Sequence, residues 1–428
     1  MAAGSHLLKL PNEFHPIQIL QQVAALLQND QDLINLAATC KEAKSRVLSF
    51  EGLTWRSRFR AKYDLPLEGR TSRELMYEYQ TRAIVLPQKM NFRPSSKERK
   101  AKEKALWLEV IQTMLTEALA LPLRGGNSTS KNYARIREVM ANVEFLNQPK
   151  TKKPSEVFHA IQIVGDIEYM TALAFDSTIT IPCLRTDYDI ATAYSYNDGD
   201  MVPLVRNGSF DFAALLDLRS FWQRHILTRE EATFYDSFSR LPRRLKPKMF
   251  KADPKAEGLS VSWMGYYSCI HPMPDTLTGL QQRQTCADLD SHWDQVDILT
   301  LKITSQSDEP FWPDECNVII PQEEGAHREY FSGVQSTYGY KSAENPLFGF
   351  TEPITAAYGG FHGWTRICFA ICEQVDGDER GTGEHNSARW VHGYEAIVIP
   401  GGRMMLGRWV DMKEPTGSGR GPFVFWDV

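Results

Sequence analysis

A chain of 428 residues is longer than one compact core usually holds, so two or three domains are expected. A formal charge of -5 and a pI near 6.1 argue against a general nucleic-acid binder and against a membrane-surface protein. No run approaches the roughly 20 apolar residues of a membrane helix. Met1 to His6 carries no basic stretch leading into an apolar core, so no secretory signal is expected. Seven scattered cysteines, none in a CxxC pair, fit a reducing compartment, cytoplasm or nucleus.

The segment from Leu10 to Tyr63 reads as a set of short helices. Pro11 suits a first helical turn, where its missing N–H would have no partner anyway. Ile17, Ile19, Leu20, Val23, Leu26 and Leu27 recur at helical spacing. Asp30 or Asp32 is the expected cap of the next helix, which carries Leu33, Leu36 and Ala37. These apolar residues are more than so short a segment buries on itself, which predicts a face that packs on something else.

The order of these residues resembles the F-box. The match is Leu10-Pro11-x-Glu13, an Ile/Leu helix, Asp32-Leu33-x-x-Leu36-Ala37-x-Thr39-Cys40-Lys41, and then Leu53-x-Trp55-Arg56. The spacing between the first two motifs is several residues longer than the common pattern, and Ala43 stands where an aromatic often follows the Cys-Lys pair. The resemblance implies docking on a Skp-type adaptor and, through it, on a cullin–RING scaffold. It places Leu10, Pro11, Ile17, Leu20, Leu33 and Leu36 at that contact. An ordinary three-helix cap or a helix-turn-helix is the plainer reading. The segment is not notably basic, which weighs against DNA.

Thr71 to Ile84 reads as a helix capped by Thr71 or Ser72. Lys97 to Lys104 reads as a solvated charged stretch, or as a nuclear-import patch. Trp107, Ile111, Met114, Leu115 and Ala118 predict a helix that stops at Pro122, and Tyr133 to Val143 predicts another. Val157 to Ile163 reads as a helix, Ile179 to Leu184 as a strand, Asp187 to Asp200 as a loop and Phe210 to Phe238 as helical. Arg240 to Lys248, basic and broken by proline, reads as an extended linker, or as a dock for an acidic partner.

From Leu259 the composition turns aromatic and β-branched. Strands are expected at Trp263–Ser268, Val296–Ile303, Asn317–Ile320, Trp364–Glu373, Val391–Ile399 and Arg403–Val410, and in the apolar terminus Gly421–Val428. Ile367, Phe369 and Ile371 fall on one face of their strand, and Cys368, Ala370 and Cys372 on the other, the pattern of a strand covered on both sides. Pro400-Gly401-Gly402 is the expected hairpin between two strands. Here the chain is similar to the C-terminal region of a group of filamentous-fungal F-box proteins. The shared segments are Trp263-x-Gly-Tyr-Tyr-Ser268, Trp390-Val-His-Gly-Tyr-Glu-Ala396 with Pro400-Gly-Gly-Arg403, and the Gly419–Asp427 close.

The expected architecture is therefore α+β. A helical F-box module occupies residues 8–64, a mainly helical scaffold 65–257, and a mostly antiparallel β-sandwich or partly closed β-barrel 258–428. No catalytic motif of the GxSxG, P-loop or HExxH type is present. The nearest metal candidate, Cys286, Asp288, Asp290, His292, Asp294 and Asp297 with Cys269 and His271, lacks paired ligands and reads better as a surface loop. No catalytic residue, metal or cofactor is expected. The reading is a non-catalytic receptor of a Skp–cullin–F-box ubiquitin ligase, whose β-domain holds a protein substrate. Trp312, Tyr338, Tyr340, Phe361, His362 and Trp364 are the candidate substrate contacts, as loop aromatics. A small-molecule or carbohydrate-binding β-module is the second reading. A hydrolase centred on His292 or His362 is the third.

Overall fold

The structure is a computed structural model. It describes residues 16–27, 29–49, 53–66, 69–88, 98–120, 130–141, 188–195, 203–227, 233–247, 259, 261–268, 297–305, 311–340, 344–354, 363–374, 388–400, 402–413, 415 and 419–428. Contacts divide the chain into two units. One comprises Met1–Met90, Glu98–Leu121 and Ser130–Val139, and the other Asn91–Lys97, Pro122–Thr129 and Met140–Val428.

The first unit is helical. Its elements are α1 (Pro16–Leu26), α2 (Asp30–Ala38), α3 (Lys41–Val47), α4 (Leu53–Lys62), α5 (Ser72–Val85), α6 (Glu98–Ala120) and α7 (Lys131–Ala141). Asn29, not Asp30 or Asp32, caps α2, accepting the Gln31 N–H at 2.9 Å. Asp30 is used elsewhere: it takes a bond from Lys62 Nζ at 2.8 Å and from the Tyr79 hydroxyl at 2.6 Å, and it pairs with Arg58. Burial pushes its carboxyl up, yet the bonds from Lys62, Tyr79 and Arg58 outweigh burial and bring the pKa down to about 2. The expected cap of α5 forms as a reciprocal box between Thr71 and Glu74. Asp64 caps α7 from a distant position, accepting the N–H groups of Lys131 and Asn132, each at 3.0 Å. Arg82, 1% exposed, meets Glu117 at 2.7 Å, and the Asn132 amide donates to the same carboxylate at 2.9 Å.

The second unit begins, among the described residues, with the short α8 (Ile190–Tyr194) inside the expected loop. The hairpin β1 (Val205–Arg206) and β2 (Ser209–Phe210) follows. The helical stretch expected from Phe210 to Phe238 is two helices, α9 (Phe212–Leu227) and α10 (Thr233–Arg240). Arg243–Leu245 forms a 3-10 turn instead of an extended linker, and the Leu245 carbonyl receives the Trp426 indole N–H at 2.8 Å.

Eight strands then close into an antiparallel barrel in chain order: β3 (Ser262–Tyr267), β4 (Leu299–Ser305), β5 (Glu329–Thr337), β6 (Asn345–Pro353), β7 (Thr365–Gln374), β8 (Ala388–Val398), β9 (Met404–Asp411) and β10 (Arg420–Asp427). The fold is α+β, and the β part is a closed barrel, neither a sandwich nor partly open. The C-terminal strand closes it, pairing with β9 on one side and β3 on the other. Closure leaves no strand edge among these eight. The residues from Asn317 to Ile320, expected as a strand, belong mostly to helix α11 (Asp314–Ile319). Asp314 and Glu315 in its first turn favour a helix start after Pro313. Strands β5 and β6 were not expected.

Alternation sends Ile367, Phe369 and Ile371 into the barrel, with Trp263, Leu301, Ile303, Phe331, Leu347, Val398, Met405, Phe423 and Phe425. Cys368, on the opposite face of β7, packs with Phe350 and Ile320 outside. Both faces are covered, as the sequence pattern predicts. Glycines open room for the inner rings: a Cβ on Gly265 would meet Phe425 Cδ1 at 2.6 Å, and one on Gly349 would meet Phe331 Cε2 at 2.8 Å. β8 and β9 pair as the expected hairpin, with Gly402 at φ +69° and its N–H on the Ile399 carbonyl at 2.9 Å.

Outside the barrel, Tyr266 stacks on Trp222 of α9 and meets Phe234 of α10 edge-on. A chain of buried charge crosses the outer face of β6, β7 and β8. Arg328 bonds Glu352 at 2.6 Å, Arg366 bonds Glu352 at 2.8 Å, and Arg366 Nε bonds Glu395 at 2.9 Å. Glu395 also accepts the Leu204 N–H at 2.7 Å, tying the segment before β1 to the barrel wall. No helix among the described residues is long and apolar enough to cross a membrane.

Candidate functional site

The two ends of the barrel differ inside. Toward the start of β3, Trp263, Ile303, Phe331, Val398, Met405 and Phe425 face inward, none more than 4% exposed. This half is apolar and filled. Toward the end of β3, the inward positions carry Tyr267, Gln335, Asn345, His392, Trp409 and Asp411, with Tyr394 deeper. Mouths of β-barrels are common ligand sites. This polar mouth is the candidate site.

Its geometry is set by strand alternation and by pairing between neighbours. Tyr394 on β8 stacks on Phe369 of β7 at 4.5 Å and 7°, and Phe423 meets it edge-on at 5.2 Å. Burial pushes the Tyr394 phenol above its ordinary pKa, so it stays a neutral donor. Trp409 on β9 lies between two rings set across it, Tyr267 at 5.5 Å and 88° and His392 at 5.1 Å and 75°. The Trp409 indole N–H donates to the Ser268 carbonyl at 2.8 Å, which fixes that ring. Asn345 donates to Gln335 at 3.1 Å across β5 and β6. Asp411 faces His392 across β8 and β9, accepts the Lys413 N–H at 2.8 Å, and has no cationic partner among the described residues. Tyr267, His392, Asn345 and Asp411 are half-buried, so the rim reaches solvent.

Two of the six candidate substrate contacts lie at this end. Tyr338 and Tyr340 sit on the β5–β6 hairpin, 38% and 66% exposed. Trp364 is corrected: it is 1% exposed and packs on Phe210 at 5.0 Å, because it leads directly into β7 and its carbonyl holds the Ile354 N–H. Trp312 is half-buried, edge-on to Phe350 at 4.9 Å on the outside of the barrel. Phe361 and His362 lie outside the described residues, as does His292. The same holds for the metal candidates other than Asp297. Among the described residues no group of three or more His, Cys, Asp or Glu side chains is placed to hold a metal ion. The sequence reading missed Tyr267, Gln335, Asn345, His392, Tyr394, Trp409 and Asp411. Their signal is polarity at inward positions of alternating strands, which needs the register to be seen.

In the helical unit, Leu10 and Pro11 lie outside the described residues, and of Ile17 only the backbone in α1 is described. Leu33 is 3% exposed and belongs to the unit's own core, so it is not a surface anchor; Leu20 and Leu36 are half-buried. The exposed apolar side chains are others: Ile19 at 50%, Val23 at 43% and Leu26 at 80% along one face of α1, and Ile34 at 55% on α2. Comparison with family models, with curated proteins and with solved structures finds no match to this chain.

Proposed function

We propose that the chain is the substrate-recognition subunit of a Skp–cullin–F-box ubiquitin ligase. Its N-terminal helices dock the adaptor, and its barrel receives a protein substrate. The observation that carries the reading is the stripe Ile19, Val23 and Leu26, left in water at i, i+4 and i+7 on α1 within the motif-bearing segment. An amphipathic helix with such a face fits a helix-in-groove contact. A receptor of this kind contributes proximity and orientation and needs no catalytic residue of its own. It works where the adaptor and cullin are, in cytoplasm or nucleus.

The test is co-purification with the Skp-type adaptor. Val23→Asp with Leu26→Asp, at exposed positions, is expected to abolish capture and keep the fold. Leu10→Ala with Pro11→Ala is expected to weaken it by about 2 kcal/mol or more if a buried anchor is lost. Adaptor capture unchanged by both pairs sinks the docking assignment. A second reading, a small-molecule-binding barrel with a regulatory helical cap, is favoured by the polar mouth and disfavoured by the filled apolar half.

A further inference from the structure

We propose that the basic turn after α10 docks an acidic, carboxylate-rich segment of a protein substrate, with Arg240, Arg243 and Arg244 as the contacts. The inference rests on reading the chain as a substrate receptor and names the chemistry of the segment that it holds.

The sequence sets the charge. Residues 240–248 carry five cations and no acidic residue, in a chain whose net charge is -5. The fold decides where those cations go. Leu241 is 5% exposed and Pro247 is buried, so the apolar residues of the turn face the protein. Arg240, Arg243 and Arg244 are all exposed, the Arg240 side chain at 81%. The backbone beneath them is fixed. The Leu245 N–H donates to the Pro242 carbonyl at 2.8 Å, and the Trp426 indole N–H holds the Leu245 carbonyl at 2.8 Å. The Lys246 ammonium donates to the Ser239 carbonyl at 3.1 Å and lies over the Phe238 ring at 5.2 Å, which ties the turn back to α10. Pro242 and Pro247 restrict the chain on either side. A partner therefore meets cations on a backbone that is already ordered, and less freedom is lost on binding.

The surroundings select the partner. Arginine pairs with carboxylates through planar, two-pronged contacts. Arg240 already faces one: Asp236, one helical turn back, stands 4.0 Å away. That contact is long and lies between exposed groups, so it is weak and yields to a better-placed carboxylate. The positive surface extends across the barrel wall. Lys302 is exposed on the outer face of β4, opposite Ser262, and β3 alone separates β4 from β10, which carries Trp426 on the same outer face. Two strand spacings make about 10 Å. Charge spread over a turn and a nearby strand suits carboxylates along an extended peptide better than one compact anion. Single-stranded nucleic acid uses exposed rings for stacking, and the rings under this turn, Phe238 and Trp426, are 5% and 1% exposed. A membrane surface uses apolar side chains beside the cations, and here Leu241 and Pro247 are buried. The turn lies toward the start of β3, at the filled end of the barrel and away from the polar mouth.

The test is fluorescence anisotropy of a labelled, acetylated and amidated hexaglutamate peptide titrated with the full chain, with hexaglutamine as the neutral counterpart. Hexaglutamate is expected to bind, and hexaglutamine to bind at least about tenfold more weakly. Arg243→Gln with Arg244→Gln is expected to weaken hexaglutamate by about fivefold or more, with near-UV circular dichroism unchanged. Arg206→Gln with Lys413→Gln removes the same charge from other exposed positions of the same unit and is expected to leave binding unchanged. Equal binding of hexaglutamine, no binding of hexaglutamate, or equal effects of the two substitution pairs overturns the proposal. Tighter binding of a labelled hexauridylate, or of phosphatidylserine vesicles, than of hexaglutamate also overturns it. The peptide comparison uses the native chain and needs no variant. Adaptor capture is measured on the same preparation. Lost peptide binding with capture intact refutes only this proposal, and the converse refutes only the ligase reading.

Discussion

Glu395→Gln is the most informative single change in the barrel. Glu395 is fully buried and takes two hydrogen bonds, from Arg366 Nε at 2.9 Å and from the Leu204 N–H at 2.7 Å, with Arg366 Nη2 as an ion-pair contact at 2.7 Å. Arg366 is also fully buried and has Glu352 as its other partner at 2.8 Å. Arg408, 4% exposed, lies opposite Glu395 on β9, and burial pushes its guanidinium down to about 10, so it is still charged at neutral pH. The wild-type group therefore sets Arg328 and Arg366 against Glu352 and Glu395, with Arg408 facing Glu395 and also held by the charges of Asp211 and Asp217. Glutamine keeps the volume and an oxygen for the Leu204 N–H, but leaves Arg366 with Glu352 as its one paired carboxylate and takes from Arg408 the first of its carboxylate neighbours. Removing one partner of a buried pair typically costs about 3–5 kcal/mol. Glutamine retains some of the hydrogen bonding, so about 3 kcal/mol is expected. For a unit of this size that lowers Tm by roughly 6–12 °C. The assay is urea and thermal unfolding at pH 7, followed by tryptophan fluorescence and near-UV circular dichroism. A change below about 1 kcal/mol would refute the view that this chain of charge is a closed, mutually dependent set.

Asp30 gives a pH test in the helical unit. Its folded pKa, about 2, is below the ordinary 3.8, so its contribution is present above pH 4 and is lost as pH falls from 4 toward 2. The side chain is partly exposed, so screening reduces the contribution to about 1 kcal/mol. Asp30→Asn should flatten that part of the acid-unfolding curve, and an unchanged curve refutes the assignment. Thr71→Ala removes one arm of the α5 capping box and should cost about 1 kcal/mol, read by chemical denaturation. Thiol labelling of the native chain, followed by mass spectrometry, should mark the exposed Cys40 quickly. It should spare Cys316, whose thiol burial pushes up to about 12, and Cys368, pushed well above the usual thiol range by complete burial. Rapid native labelling of Cys368 would contradict a covered outer face on β7.

Elements whose local signals agree with their tertiary setting were legible in the sequence. The α5 box follows from Thr71 and Glu74, the centre of β7 from its double apolar alternation, and the β8–β9 turn from its glycines. Strands β5 and β6 were hidden. Ser332, Gly333, Gln335 and Ser336 dilute the first, and Pro346, Gly349 and Pro353 the second. Both are nonetheless paired along their whole length, because closing the barrel supplies partners that propensity cannot foresee. Ile319 and Ile320 misled in the opposite direction, since Pro313, Asp314 and Glu315 start a helix there. Trp364 was expected both to open a strand and to be a substrate contact; its carbonyl, already in the pairing that leads into β7, and its 1% exposure agree with the first.

The mouth was illegible for a different reason. On β8 and β9 both faces are buried, so apolar content does not tell inside from outside. Tyr394 and Glu395 are neighbours in sequence and equally hidden, but one faces the barrel interior and the other the buried ion chain. Only the ladder between β7, β8 and β9 separates them. The separation assigns different work to the two faces. The outer polar groups bond one another and the segment before β1, which holds that segment on the wall. The inner ones gather at one end of the barrel, half-buried at its rim, on a face that alternation along β8 and β9 alone identifies.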